Sequence, residues 1–317
     1  MKVLVTGSEG FVGKNLVEQL KTKDYKVLHP TCTELDLTDE EKVKEYLSSY
    51  DLEVIVHSAT TLRIGTSYPP KTCENNLRMF FNLQKNLRHG VRLINFGSGS
   101  EYDRRFWYPK MPESFFGSHV PLDEHSYAKY LISKYIEDTD HENLLNLRIF
   151  GIYGRYEDYR YKFISNMIAK NILKQPITIN ANVFYDYVYI DDFVKIVELF
   201  LNKEKTKYKT FNITPSQPVD LLTLAQFVNK VSSFTSEIRI LNSELGTEYS
   251  GDNTRLVSEL GNFQFMSHED SIKDLYAFYK GIEDSIDAPS VIKDEYLDYA
   301  KKLRTDFFEK KNEKLCN

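Results

Sequence analysis

Short runs rich in β-branched and apolar residues recur through the first half of the chain, at Lys2 to Thr6, Lys26 to Leu28, Glu53 to Val56, Arg92 to Asn95 and Asn146 to Ile149. Between them lie stretches whose apolar residues repeat at helical spacing: Phe11 to Leu20, Glu40 to Leu47, about Cys73 to Leu87 and about Ser126 to His141. Strand and helix taking turns in this way predict an α/β fold, a doubly wound parallel sheet joined by right-handed crossover helices. After about Phe150 the rhythm breaks into aromatic-rich loops, a helix near Phe163 to Leu173 and the segment Tyr185 to Leu201. Residues 1–150 are therefore expected to form the main domain. Residues 151–317 are expected to form mainly a smaller C-terminal α/β lobe, with 185–210 returning to the first domain. Near the end, Ile292, Tyr296, Ala300, Leu303 and Phe307 fall at helical spacing beside many charges, predicting a helix packed on its own chain or on a second copy.

Composition narrows the classes. With 317 residues, a charged fraction of 27% and a formal net charge of -5, the chain has no basic footprint, and no nucleic-acid partner is expected. Cys32, Cys73 and Cys316 are far apart with no CxxC, so neither a metal site nor a disulfide framework is expected. No stretch reaches the roughly 18 apolar residues of a membrane span, and MKVLVTG does not read as a secretory signal. A cytoplasmic location without membrane contact is the expectation.

The first chemistry-bearing segment is Gly7-Ser8-Glu9-Gly10-Phe11-Val12-Gly13, set between an apolar strand and a helical pattern. The first glycine permits a tight strand-to-helix turn, the second lets backbone approach a pyrophosphate, and the third lets helix and sheet pack closely. The helix N-terminus then offers free N–H groups to phosphate. Dinucleotide binding follows, with Gly7, Glu9, Gly10, Phe11, Val12 and Gly13 as its contacts.

The Gly-x-x-Gly-x-x-Gly spacing resembles the extended short-chain dehydrogenase/reductase family of nucleotide-sugar enzymes, and further motifs fall in that family's order from Val3 to about Gly261. Asp36-Leu37 resembles the pair that holds adenine. His57-Ser58-Ala59-Thr60 is similar to the family's His-x-Ala-Ala run, and Asn76 sits where the family places a structural asparagine. Gly97-Ser98-Gly99-Ser100-Glu101-Tyr102 resembles the segment carrying the catalytic hydroxyl. Tyr130-Leu131-Ile132-Ser133-Lys134 resembles its Tyr-x-x-Ser-Lys run. Leu147 to Gly154, Asp186 to Asp192 and Asp252 to Arg255 resemble later segments. The resemblance implies a Rossmann-type fold, an NAD cofactor with NADP possible, a nucleoside-diphosphate sugar substrate, a homodimer and a place in polysaccharide biosynthesis. It also implies Ser98, Tyr130 and Lys134 as the catalytic set. Ser58, Ala59, Thr60 and Asn76 join the cofactor residues, as do Tyr130 and Lys134, and Thr61, Ser98, Ser100, Gly151, Lys162, Phe163 and Arg255 face the substrate.

Physical logic runs alongside. Four residues apart on a helix, Tyr130 and Lys134 share a face, so an ammonium can favour ionisation of a phenol whose free pKa is about 10. Tyr276 and Lys280 satisfy the same spacing but lie near the C-terminus and read as packing. Tyr127 is followed four residues on by Leu131 and drops out.

Departures from the family pattern carry information. Gly151 stands in place of an asparagine, Tyr185 in place of an arginine, and no Arg-Pro-Gly-Asp occurs near Glu244 to Glu248. Those arginines bind diphosphate by paired, charge-assisted hydrogen bonds, so Arg155, Lys162, Lys170 and Arg255 become candidates to replace them. Ser100 stands where 4,6-dehydratases carry an acid, and Glu101 is expected on the opposite face of a strand. No histidine lies between His141 and His268, where the 3,5-epimerising reductases of the family place one in the substrate lobe. Hydride chemistry at C4 remains, as 4-keto reduction or C4 dehydrogenation, with 4-epimerisation as the alternative and a non-catalytic dinucleotide sensor or scaffold as the reading of another class. The insertion from Asp103 to Glu124, rich in aromatics, reads equally as a wall over the sugar and as a packed surface loop. Glu9, and the absence of Lys or Arg from His29 to Thr33, favour NAD over NADP.

Overall fold

In chain order the first half runs β1 (Lys2–Thr6), α1 (Phe11–Lys21), β2 (Lys26–Leu28), α2 (Glu40–Ser48), β3 (Val54–His57), α3 (Thr72–Lys85), β4 (Arg92–Ser98), α4 (Glu124–Asp138) and β5 (Leu144–Ile149). This is a computed structural model, and it describes residues 1–261 and 263–302. β3 is buried at every position and β4 at all but its two ends, as strands covered by helices on both faces must be.

The second half adds β6 (Gly151–Tyr153), α5 (Phe163–Ile172), β7 (Ile177–Ala181), β8 (Phe184–Tyr185), β9 (Tyr187–Tyr189), α6 (Ile190–Leu201), β10 (Thr210–Ile213), β11 (Val219–Asp220), α7 (Leu221–Val231), β12 (Ile238–Asn242), α8 (Thr254–Leu260), α9 (His268–Gly281) and α10 (Ala288–Lys293). The main sheet has the order β10-β5-β4-β3-β1-β2, every pairing parallel. β10 therefore rejoins the sheet from beyond residue 151. Within 185–210, α6 packs beside α1 and its Phe193 ring meets Phe96 of β4 at 4.9 Å, whereas β8 and β9 stay in small sheets with β11 and β6.

Two apolar layers flank the sheet. Leu4, Ile55 and Leu93 face Val43, Leu47, Phe80, Leu83, Ile132 and Ile136 of α2, α3 and α4. Val3, Val5, Val56 and Phe96 face α1 and α6 in a second cluster that extends into the C-terminal lobe. Helix starts follow ordinary capping: the Asp39 carboxylate accepts from Lys42 N at 3.2 Å and Asp123 from Ser126 N at 2.9 Å. Residues 295–302 are helical, and the Tyr296 ring lies 5.6 Å from Phe163 of the same chain. Leu303 and Phe307 lie outside the described residues.

One buried acid sets a pH dependence. Glu157 is 5% exposed and accepts a hydrogen bond from Ser165 Oγ at 2.7 Å. Burial pushes its carboxyl up from 4.5 to about 7, opposed by Lys162. As pH rises between those values the unfolded chain has released its proton while the folded chain keeps it. Stability present below pH 4.5 is therefore lost as pH approaches 7, by on the order of 3 kcal/mol. Urea midpoints measured from pH 5 to pH 8 are expected to fall in the native protein and to flatten in Glu157→Gln.

Candidate active site

The glycine turn has the geometry its sequence demands. Gly7 lies at φ +66°, and a Cβ there would fall 2.7 Å from Ala59 N; at Gly13 one would fall 2.1 Å from Gly7 O. At Gly10 the nearest atom to such a Cβ is Gly7 O at 3.3 Å. Among the described residues no side chain caps α1, so its leading N–H groups suit a pyrophosphate. Ser8 Oγ ties the turn to His29 O and Pro30 O, each at 3.1 Å. Glu9 is exposed, while Phe11 and Val12 are half-buried against the core.

Asp36 accepts from Thr38 N and Oγ1 at 2.9 and 2.7 Å, bonds that hold its carboxyl below the ordinary range. Leu37 is buried, and its carbonyl accepts from Asn82 Nδ2 at 2.9 Å. At the end of β3, His57 shares a 2.9 Å hydrogen bond with Thr6 Oγ1, and Ala59 N donates to the same oxygen at 3.3 Å. Burial, with Lys129 nearby, lowers the His57 imidazole to about 3. Asn76 Oδ1 accepts from Thr61 N at 2.7 Å and from Thr60 Oγ1 at 3.3 Å, which fixes the loop after Ser58 and Ala59. Asn76 Nδ2 is buried with no partner among the described residues. Cradle, free helix end and orphaned amide all fit a dinucleotide laid across the C-terminal ends of β1, β3 and β4.

Ser98 ends β4. Its Oγ accepts from Ser100 N at 3.2 Å and from Ser100 Oγ at 3.0 Å, and its N–H donates to Glu101 Oε1 at 2.8 Å. Residues Gly99–Tyr102 form a turn of 3-10 helix, which corrects the expectation that Glu101 sits on the far face of a strand. Glu101 is fully buried, and its Oε2 receives Arg148 Nε at 2.7 Å. It stays unavailable to substrate, though for a different reason. Tyr249, missed from the sequence, closes this end: its hydroxyl lies where a Cβ on Gly99, the residue after Ser98, would come within 2.3 Å. Burial pushes the Tyr249 phenol up, against the pull of Arg104.

On α4 the expected pair faces elsewhere. Tyr130 is buried with its ring 5.0 Å from Phe116, and Lys134 is half-exposed, ion-paired to Asp138 at 2.9 Å. That hydrogen bond, ahead of a smaller contribution from Tyr130, raises the ammonium. Lys134 as a cofactor contact is thus corrected: helical phase carries it away from the strand ends. The buried lysine is Lys129, 8% exposed, donating to Phe96 O of β4 at 2.6 Å. Burial lowers it to about 8, opposed by Glu101. The phase was legible, since Ile132 and Ile136 mark the buried face of the helix and Lys129 lies about 20° from Ile136 in angle.

The other residues expected to face the substrate, or to replace its missing arginines, lie as follows. Gly151 is buried, and a Cβ there would fall 2.7 Å from Asp186 O, so its glycine answers to packing. Phe163 belongs to the core. Arg255 lies over Tyr208 and beside Thr210 at the start of β10, with Glu113 at 3.9 Å, away from the strand ends that carry Ser98. Lys170 is buried and pairs with Asp294 at 2.6 Å, and the half-buried Arg155 pairs with Asp191 at 2.9 Å. Lys162 sits at the N-terminus of α5 near Glu157. Two arginines that sequence reasoning passed over lie closer to the chemistry: Arg63 and Arg104 both act on the charge of His125, and Arg104 also acts on Tyr249. Arg63 sits in the loop after β3 and Arg104 opens a single turn of 3-10 helix, so no local periodicity announces them. The insertion contributes Trp107, 4.0 Å from the Tyr249 ring, while Phe106 stacks on His119 and Phe115 packs near Tyr102. No group of His, Cys, Asp or Glu suited to a metal ion occurs among the described residues, and none of their helices is long and apolar enough to cross a membrane.

Fold and site together define a dinucleotide-dependent enzyme of the Rossmann type. Residues 3–214 match the model of the NAD dependent epimerase/dehydratase family, and the chain belongs to that family of NAD(P)-dependent enzymes. A GDP-L-colitose synthase from Yersinia pseudotuberculosis is 22% identical over 258 residues, covering 74% of this chain and 83% of that protein. A GDP-6-deoxy-D-talose 4-dehydrogenase from Aggregatibacter actinomycetemcomitans is 24% identical, covering 87% and 97%. Among solved structures, a GDP-mannoheptose C4 reductase from Campylobacter jejuni with NADP bound superposes with a TM-score of 0.76 at 19% identity, covering 88% and 98%. That likeness establishes the fold.

Proposed function

We propose that the protein is an NAD(H)-dependent oxidoreductase acting at C4 of a nucleoside-diphosphate sugar, as a 4-keto reductase or C4 dehydrogenase. The observation that carries this reading is Ser98 at the end of β4, beside the buried ammonium of Lys129, with Glu101, three residues beyond the serine, locked onto Arg148. Elimination of water needs a free acid and base, and this arrangement withholds the acid. Relatives named for C4 oxidation and C4 reduction of GDP-linked sugars support the same class. Bound nicotinamide supplies the hydride chemistry. The chain's own part is to cradle the pyrophosphate at Gly7 to Gly13, to orient the sugar oxygen with Ser98 and Tyr249, and to meet the substrate diphosphate with Arg63 and Arg104. Glu9 and the uncharged stretch from His29 to Thr33 favour NAD over NADP.

The test is a panel of UDP-, GDP-, ADP- and dTDP-linked sugars and their 4-keto forms, followed by nicotinamide absorbance and by mass spectrometry of the products. A stoichiometric change in absorbance with one sugar is expected. Conversion without net absorbance change would make the protein a 4-epimerase, and tight dinucleotide binding with no conversion at all would leave a sensor or scaffold.

A further inference from the structure

We propose that His125, with Lys129 as the cation beside it, exchanges the proton of the reacting sugar hydroxyl, in place of Tyr130 and Lys134. The proposal rests on the oxidoreductase reading above and assigns its proton-transfer group.

Geometry comes first. His125 and Lys129 are four residues apart on α4 and share a face. That face carries Lys129 to Phe96 O, two residues before Ser98. Of the three N–H donors on this ammonium, Phe96 accepts one. Tyr130 is turned about 100° further round the helix, where its ring meets Phe116. Phe116 in turn lies over the guanidinium of the fully buried Arg148, 4.7 Å from its ring centroid. Tyr130 thus belongs to the packing around Arg148, and Lys134 to the solvent-facing ion pair with Asp138.

His125 has what the expected tyrosine lacks. Its Nδ1 is buried without a hydrogen-bond partner among the described residues. A buried unpaired ring nitrogen carries a desolvation cost that a ligand hydroxyl would relieve. The ring is held in place by stacking on Tyr68, with centroids 4.5 Å apart and planes within 6°. The charged groups that face it are Asp123 and Lys129 from its own helix end, Arg63 from the loop after β3, and Arg104 from the turn after β4. Burial and those three cations, against Asp123, lower the imidazole from 6.5 to about 3, so it is neutral at pH 7. A neutral imidazole can accept a proton, and substrate phosphates on Arg63 and Arg104 would weaken the repulsion that opposes keeping it. In the oxidising direction the O–H bond of the sugar breaks and its proton passes to the imidazole. The hydrogen on the same carbon leaves with its electron pair to the nicotinamide. Reduction is the reverse.

The test uses the whole protein with His125→Ala, His125→Tyr, Tyr130→Phe and Lys129→Met, each checked by thermal melting. His125→Ala is expected to lower kcat by about 100-fold or more while the Kd for NAD, read by calorimetry, stays within about threefold of the native value. Tyr130→Phe is expected to keep kcat within about threefold. His125→Tyr is expected to recover turnover with a pH optimum moved upward, because a phenol ionises near 10, far above the lowered imidazole of His125. Lys129→Met is expected to weaken NAD binding about tenfold. In the native protein the imidazole 15N resonances that disappear in His125→Ala are expected to shift when NAD is added. Native-like kcat in His125→Ala, a loss in Tyr130→Phe equal to that in His125→Ala, or His125 resonances unmoved by NAD would each overturn the proposal. Failure of the native protein to convert any sugar of the panel would instead overturn the oxidoreductase reading, and the resonance measurement would still decide whether the imidazole faces the dinucleotide.

Discussion

Glu101→Ala is expected to destabilise the protein by about 3–5 kcal/mol and to remove most of its turnover. Arg148 and Glu101 are both fully buried. The guanidinium donates to Glu101 Oε2 at 2.7 Å, to Tyr102 Oη at 2.6 Å, to Ser133 Oγ at 2.9 Å and to Asn212 Oδ1 at 3.3 Å. It thereby joins β5, the turn after β4, α4 and β10. Removing the carboxylate leaves a desolvated cation, which costs far more than the pair contributes over an apolar replacement. Glu101→Met combined with Arg148→Met is therefore expected to recover much of the loss. Turnover falls for a second reason: Glu101 Oε1 accepts from Ser98 N, closing a capping box around the turn, so the serine hydroxyl loses its anchor when the carboxylate goes. Urea denaturation of the two single variants and the double variant checks the first effect. A Glu101→Ala midpoint corresponding to less than about 1 kcal/mol would show that Arg148 finds other partners.

The residues of this network also show how far the sequence could be read. Gly97 is glycine because a Cβ there would fall 2.4 Å from Glu101 Oε1, a constraint visible only once the turn has brought the carboxylate back beneath its own strand. The strand-helix alternation and the phosphate turn were legible because both are local: period, glycine spacing and helix start lie within a few residues of each other. α4 was legible as a helix, but its four-residue pairs alone do not set its phase. His125/Lys129 and Tyr130/Lys134 both satisfy a four-residue spacing on the same 15-residue element, and tertiary burial chooses between them. The apolar positions Ala128, Ile132 and Ile136 held that information, since they point α4 at α3 and the sheet and leave Lys134 in solvent. Arg63, Arg104 and Tyr249 lay beyond sequence reasoning because loops bring them in from three distant segments. Lys170 and Arg155 resembled free cations in the sequence, and the fold pairs both with acids more than 30 residues away.

Within the phosphate turn, the glycines are expected to separate binding from folding. Gly10→Ala should retain its thermal stability to within about 1 kcal/mol, because the new methyl meets only Gly7 O at 3.3 Å, a contact that a small backbone shift relieves. That methyl would nevertheless stand at the start of α1 where phosphate oxygens must approach the N–H groups, and NAD affinity is expected to fall by a factor of ten or more. Gly13→Ala is a different perturbation. Its methyl would lie 2.1 Å from Gly7 O and 2.7 Å from Gly7 C, atoms of a backbone already committed to φ +66° and packed on Ala59. Helix and turn must separate, so stability and NAD binding are expected to be lost together, the former by about 3 kcal/mol or more. Calorimetric titration with NAD, paired with thermal melts, distinguishes the two cases. If Gly10→Ala bound NAD as the native protein does, the pyrophosphate would not rest on this turn. The placement of the nicotinamide beside Lys129 and His125, which depends on where the other end of the dinucleotide is anchored, would lose its support.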